Sequence, residues 1–349
     1  MSLYDSVSGL SLEIESYELE PLELTVSPEF TRKTTVIRLR GGGHEGIGED
    51  VTYSAPDQEA LQEEGPNLPL PGSHTLDSFS QLLDRLALWP SGPALEQFRP
   101  YRRWAYESAA LDLALRQAGT SLHEALGRDP QPVTFVSSMR LGDPASIEPL
   151  QRWLDLYPGL RFKLDPTSSW DEALVSALVE TNAVDTLDLK GAYEGTPVDQ
   201  AADPTLYARV AIAFPEAWIE DPRLTEETVP VLEPHRSRIT WDAPIHSVAD
   251  IVGLSWRPRT LNFKPSRFGS VQGLFEAYEH CYENRIQIYG GGQFELGPGR
   301  GQIQYLASIF HPDTPNDVAP AAYNADPKSG LPASPLQPAL SNTGFRWGG

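Results

Sequence analysis

Asp188, Glu220 and Asp242 stand at the ends of three successive short apolar runs, and Lys163, Lys190 and Lys264 stand at the ends of such runs as well. If the runs are parallel strands, the three carboxylates point their oxygens into one space, and like charges that close need a cation. An oxygen-only set with room for water suits Mg²⁺ better than zinc, which prefers histidine or cysteine. Taken singly, the same residues read as solvated carboxylates or as partners of arginine. An ammonium facing a metal-held substrate can act as a base once burial and neighbouring positive charge depress its pKa. Lys264, which ends Leu261-Asn262-Phe263-Lys264-Pro265, is the candidate; its alternative is a surface lysine paired with one of the carboxylates. Asp165, Glu295 and Asp317 complete the charged residues at run ends.

Lysine is rare enough for this placement to carry information. The 349 residues include 27 basic side chains, and only Lys33, Lys163, Lys190, Lys264 and Lys328 are lysine. The formal charge of −21 and the lack of a basic run exclude nucleic acid as an expected partner, because phosphate neutralisation supplies most of that affinity. Cys281 has no second cysteine to pair with, and no apolar run approaches the roughly 18 residues of a membrane span. A cytoplasmic protein with no membrane association is expected. Among the histidines, His44 lies in a Gly-His-Glu-Gly turn with a structural reading, and His246, four residues after Asp242, lines the mouth of the site or lies on the surface.

The elements that must position these residues divide the chain. Leu12 to Tyr53 alternates as antiparallel strands do, most clearly over Thr34–Arg40, and Gly41-Gly42-Gly43 supplies a turn. Asp57 to Pro100 is rich in proline and polar residues, with one helical stretch over Leu76–Leu88 and little expected core. Ala110, Leu111, Ala114, Leu115 and Ala118 predict a helix over Trp104–Ala118, and Ser121-Leu122-His123-Glu124 has capping-box spacing. After Pro132 come short apolar runs separated by amphipathic segments, the pattern of βα units. The predicted strands are Val133–Ser137, Leu160–Leu164, Ala183–Leu189, Ala217–Ile219, Ile239–Trp241, Thr260–Phe263, Arg285–Tyr289 and a weak one near Asp317–Ala319. Ser169-Trp170-Asp171-Glu172 reads as the capping box of the helix after the second strand. Eight strands suggest a closed α/β barrel; a doubly wound sheet competes but lacks a glycine-rich first turn. The expected division is an α+β capping domain over 1–130, a barrel over 131–322, and an irregular tail over 323–349 packing back on the cap.

These residues match a known family pattern. Trp218-Ile219-Glu220-Asp221-Pro222 and Leu261-Asn262-Phe263-Lys264-Pro265-Ser266-Arg267-Phe268-Gly269 resemble the fourth-strand and sixth-strand motifs of the enolase superfamily in its muconate-cycloisomerase-like branch. Val36–Arg40 with Gly43-His44-Glu45-Gly46-Ile47-Gly48-Glu49 is similar to its capping domain, and Ile288-Tyr289-Gly290-Gly291 to its seventh-strand loop. The resemblance implies a modified (β/α)7β barrel with a cap, Mg²⁺ on Asp188, Glu220 and Asp242, and abstraction of a proton next to the carboxylate of a small acid. The implied partners are that substrate and further copies of the chain. Lys264, Lys163 and Asp165 are the implied catalytic residues, with Lys190, Glu295 and Asp317 around them. Departures narrow the chemistry. The usual Lys-x-Lys of the second strand reads Lys163-Leu164-Asp165, the asparagine after the first ligand is Lys190, and the glutamate after the third is Ala243. An aspartate cannot supply the cationic half of a two-lysine racemase, so a dehydration or cycloisomerisation is expected, with Lys190 restoring the charge lost at Asp165. The competing reading is a diverged member that keeps metal or ligand binding without catalysis.

Overall fold

The alternation between Leu12 and Tyr53 resolves into β1 (Ser11–Ile14), β2 (Ser16–Ser27), β3 (Phe30–Gly41) and β4 (His44–Asp50) in a computed structural model that describes residues 2–28, 30–196 and 198–348. Strands β2, β3 and β4 form an antiparallel meander with Leu39 opposite both Tyr17 and Gly46, while β1 pairs antiparallel with β5 (Gly72–Thr75). Strand β3 is buried on both faces, with Ile37 and Leu39 on one and Val36 on the other. Strand β4 lies directly on the helix Arg99–Gln117, close enough that a Cβ at Gly46 or Gly48 would fall 2.2 Å from the Ala109 carbonyl oxygen or 2.1 Å from that of Ala105. That helix starts five residues before the predicted Trp104, because its first turn buries Tyr101 and the aliphatic stem of Arg102, whose guanidinium pairs with Asp50 at 2.9 Å.

The segment expected to hold little core contributes substantially to it. It folds into the helices Ala55–Glu64 and Leu76–Leu83 and strand β5, and Leu61, Leu70, Leu76, Phe79, Leu83 and Phe98 are buried. Leu76, Phe79 and Leu83 follow the spacing of the predicted helical stretch, while Leu61, Leu70 and Phe98 are isolated between prolines without a readable period. The Ser121 capping box is formed in both directions, with the Ser121 N–H donating to Glu124 at 2.9 Å. The one expected at Ser169 is not: Trp170 is buried, Asp171 caps the helix Glu172–Thr181 by accepting from the Leu174 N–H at 2.8 Å, and Ser169 bonds to Thr167 instead.

The second half is an α/β barrel. Parallel strands β6 (Ser137–Met139), β7 (Phe162–Leu164), β8 (Val184–Asp188), β9 (Trp218–Glu220) and β10 (Ile239–Thr240) are neighbours in sequence order, as are β11 (Thr260–Phe263) and β12 (Gln287–Gly290). The Asn262 N–H donates to the Trp241 carbonyl at 3.0 Å and joins the two sets. The weak eighth strand contracts to parallel bridges of Asn316 with Phe135 and of Asp317 with Gly291, which close the barrel. The first predicted strand loses its start, because Val133 pairs antiparallel with Leu336 of the tail. One large apolar core runs through both halves, beside a small separate cluster of Val51, Phe98 and Tyr101. The tail returns to Asp112 of the long helix, which accepts from the Phe345 N–H at 2.8 Å, Arg346 at 2.7 Å and the Ile47 N–H of β4 at 3.0 Å. Among the described residues no helix is long and apolar enough to cross a membrane.

Candidate active site

Parallel register sets the site. Asp188 lies beside Glu220, and Glu220 beside Thr240, so the ends of β8 and β9 and the residues just past β10 bring Asp188, Glu220 and Asp242 together at the C-terminal face. One ligand atom from each lies within 4.8 Å of the others, and all three residues are buried. The donor set fits a hard divalent cation: it is oxygen-only, compact and fixed by strands.

Every one of these carboxylates is also held by a cation. Lys163 contacts Asp188 at 3.0 Å and Glu220 more closely, Lys190 contacts Asp188, and Lys264 contacts Asp242 at 2.8 Å. Arg267 reaches the other oxygen of Asp242 at 2.7 Å, and Tyr193 bridges it by donating to Asp242 at 2.7 Å while accepting from Arg267 at 3.1 Å. Tyr289 and Asn262 donate to Glu220, the latter at 3.3 Å. Asp221 is buried behind them and accepts the N–H groups of Asp242 and Ala243, both at 2.8 Å, which fixes the turn carrying Asp242. Burial, with Asp242 and Asp188 nearby, pushes the Asp221 carboxyl up to about 7.

The lysines differ electrostatically. Burial would lower the Lys163 ammonium, but Asp188, Glu220, Asp317 and Asp242 outweigh it and hold it charged. For Lys264 burial prevails: with Arg267, Lys163 and Lys190 adding positive charge, the ammonium lies below its ordinary value against the pull of Asp242. Burial raises the carboxyl of Asp165 despite Lys190, and Arg140 donates to it at 3.0 Å.

A cavity of about 550 Å³ opens above these groups. Lys163, Asp165, Lys190, Lys264 and Asp317 line it, and the three carboxylates lie beneath the lysines. Val26, Phe30 and Tyr53 of the cap also line it, together with Arg140 and Arg300. Glu295 is not in this wall; its carboxylate turns to Arg300 at 3.1 Å. His246 does not line the mouth either, because its Nε2 meets the Ala243 carbonyl at 3.0 Å.

Several participants escape the sequence. Arg267 sits three residues after Lys264, a spacing that one turn of the short helix Pro265–Phe268 converts into a shared aim at Asp242, and this is the one readable signal. Tyr193, Arg140 and Arg300 lie in loops or helices without such a pattern. Arg32 is another: fully buried in β3, it donates to the Val51 and Thr52 carbonyls of the cap at 2.6 and 2.7 Å and to those of Gln293 and Phe294 past β12 at 3.0 and 3.2 Å.

Comparison with known proteins agrees with the architecture. The family models described as "Domain of unknown function (DUF8230)", N-terminal and C-terminal domains, match residues 5–125 and 129–325. An N-succinylamino acid racemase of Amycolatopsis sp is 26% identical over 330 residues, 90% of this chain and 86% of that protein. An o-succinylbenzoate synthase of Bacillus subtilis is 28% identical over 225 residues, 61% of this chain and 57% of that protein. The crystal structure of a dipeptide epimerase from Methylococcus capsulatus, complexed with Mg ion, superposes with a TM-score of 0.64 at 17% identity, covering 87% of this chain and 89% of that one.

Proposed function

We propose, from the premise that the chain belongs to the family described as domain of unknown function DUF8230 and has the fold of the enolase superfamily, that it is an enzyme removing a proton alpha to the carboxylate of a small acid. The observation that carries this reading is the convergence of Lys264, Lys163 and Asp165 on one cavity whose floor overlies three buried carboxylates.

Asp188, Glu220 and Asp242 would hold Mg²⁺, which when bound offsets the negative charge that grows on the substrate carboxylate as the proton leaves. Lys264 is the base, since burial and three neighbouring cations favour its neutral form. Lys163 stays charged and faces the developing anion. Asp165 lies on the same cavity with a raised carboxyl and is suited to return a proton or protonate a leaving group. Lys190 and Asp317 contribute charge around the substrate. The cap residues Val26, Phe30 and Tyr53 exclude water and select the substrate's distal part.

The second lysine of a symmetric proton exchange is Asp165 here, so one-base chemistry, a dehydration or a cycloisomerisation, suits the residues better than racemisation. The relatives themselves carry names of different reaction types, a racemase and a synthase. A second reading, a ligand-binding protein without turnover, is favoured by the three ammonium groups that stand between the cavity and the carboxylates.

The test is α-proton exchange. With Mg²⁺ and a panel of small carboxylic acids in deuterated water, the wild type should wash deuterium into the α position of at least one acid. Lys264→Ala should abolish that exchange while calorimetry still detects the metal. Exchange undiminished in Lys264→Ala overturns the assignment of the base, and a wild type that binds an acid without exchanging it supports the second reading.

A further inference from the structure

The opposite end of the barrel carries a second concentrated feature. Arg236, Arg257, Arg259 and Arg285 line one cavity of about 560 Å³ together with Trp256. Arg236 precedes β10, Arg257 and Arg259 precede β11, and Arg285 precedes β12. They therefore lie at the N-terminal ends of the strands, the barrel's thickness away from Asp188 and its neighbours.

All four arginines are exposed, so water screens much of their mutual repulsion, but together they present a concentrated positive charge that anions would offset. In a chain with 48 acidic side chains such offsets are plentiful, yet here they are nearly absent. Arg236 pairs with the exposed Glu233 at 3.0 Å, and Arg257 donates to the Asn284 carbonyl at 3.1 Å. Arg259 and Arg285 make no side-chain hydrogen bond or ion pair with any described residue. All the cations are arginine and none is lysine, which favours planar, bidentate recognition of an oxyanion. The half-buried Trp256 adds a flat apolar wall, and a ring laid on it gains both stacking and the company of guanidinium planes. The size is that of a small-molecule cavity.

We propose that this cavity binds a nucleoside di- or triphosphate, with its phosphates on the arginines and its base against Trp256. A di- or triphosphate carries more negative charge than Arg259 and Arg285 offset alone, so Arg236 and Arg257 share it, and the ring explains an aromatic side chain beside the arginines, Ser237, Ser255, Pro258 and Asn284 of the wall. The site is independent of the proton-abstraction reading, because no residue is shared between the two cavities.

The test is titration of the full chain with ADP, pyrophosphate and adenosine in metal-free, low-salt buffer, followed by calorimetry and by tryptophan fluorescence. ADP should bind, and bind at least about fivefold more tightly than pyrophosphate, the stacking contribution of one base. Its affinity should fall steeply with salt, and adenosine should not bind measurably. Arg259→Glu/Arg285→Glu should lose at least about 30-fold in ADP affinity, and the milder Arg259→Gln/Arg285→Gln a smaller but clear amount, with thermal midpoints near the wild type. The proposal is overturned by a wild type that ignores millimolar ADP, by equal binding of ADP and pyrophosphate, or by double variants that keep the wild-type affinity. It is equally overturned if the variants only change the oligomeric state in sedimentation, since the arginines then meet an acidic face of a second copy.

Discussion

Lys190 holds Asp188 twice: its ammonium rests on Oδ2, and its backbone N–H donates to Oδ1 at 3.1 Å. The double contact is possible because Lys190 adopts the left-handed conformation, with φ of 54°, which folds the side chain back over the residue two positions earlier. A side-chain cation thus occupies an oxygen that a divalent metal would share. Lys190→Ala removes that competitor and leaves the backbone bond, so Mg²⁺ or Mn²⁺ should bind about tenfold more tightly, a change of roughly 1.4 kcal/mol. Calorimetric titration of both proteins reads this directly, and equal affinities would show that Lys190 yields its place without cost.

How far the site is legible in the sequence follows from the same geometry. Parallel strands deliver their final residues to one end whatever their length, so the meeting of Asp188, Glu220 and Asp242 with Lys163, Lys190 and Lys264 can be read from run ends alone. Side-chain reach cannot. Tyr193 arrives from a loop, Glu295 turns away to Arg300, and His246 folds onto the Ala243 carbonyl, none of which periodicity encodes. Part of the cap's core is hidden for another reason: Leu61, Leu70 and Phe98 are separated by prolines and turns, so their burial is tertiary, whereas Leu76, Phe79 and Leu83 follow helical spacing. Barrel closure through Asn316 and Asp317 is legible only as the weak run near Asp317–Ala319, because two bridges leave no strand-length pattern.

The approach of β4 to the long helix makes Gly48 intolerant of any side chain. A Cβ there would lie 2.1 Å from the Ala105 carbonyl oxygen and 2.4 Å from Ser108 Oγ, and the backbone atom cannot step aside without moving the helix. Gly48→Ala should cost about 3 kcal/mol, at the upper end of overpacking penalties. Urea denaturation measures it, and a loss below about 0.5 kcal/mol would mean that the strand and helix separate freely.

His311 makes stability depend on pH. Burial pushes its imidazole down to about 4, and Asn316 Oδ1 accepts from Nδ1 at 2.6 Å, leaving Nε2 to accept from the Tyr278 hydroxyl at 3.1 Å. The folded state keeps the ring neutral, whereas the unfolded chain takes up a proton near the ordinary value of about 6.5. This stability is fully present above that value, declines as pH falls, and is lost once pH reaches about 4, a total of about 3 kcal/mol. The stability difference between wild type and His311→Gln, measured by denaturation from neutral pH downward, should therefore shrink through that window. A constant difference would show that the ring takes up its proton in the fold as readily as in the unfolded chain.

Glu49 is, with Arg32, one of the cap's anchors on the barrel. From the end of β4 it accepts the N–H groups of Leu296 at 2.7 Å, Gly297 at 3.0 Å and Gly299 at 2.9 Å, at the start of the helix Pro298–Phe310. Those N–H groups have no partner within the helix, and its dipole favours a negative charge at this end. Burial and the neighbouring Glu295 raise the Glu49 carboxyl, so the three donors must offset that cost for the contact to hold the domains together. Glu49→Ala strands the donors and should destabilise the protein by about 2 to 3 kcal/mol, while Glu49→Gln keeps one acceptor oxygen and should lose less. Hydrogen exchange at Leu296, Gly297 and Gly299 localises the effect: faster exchange there in Glu49→Ala is expected, and unchanged rates would place the anchoring elsewhere.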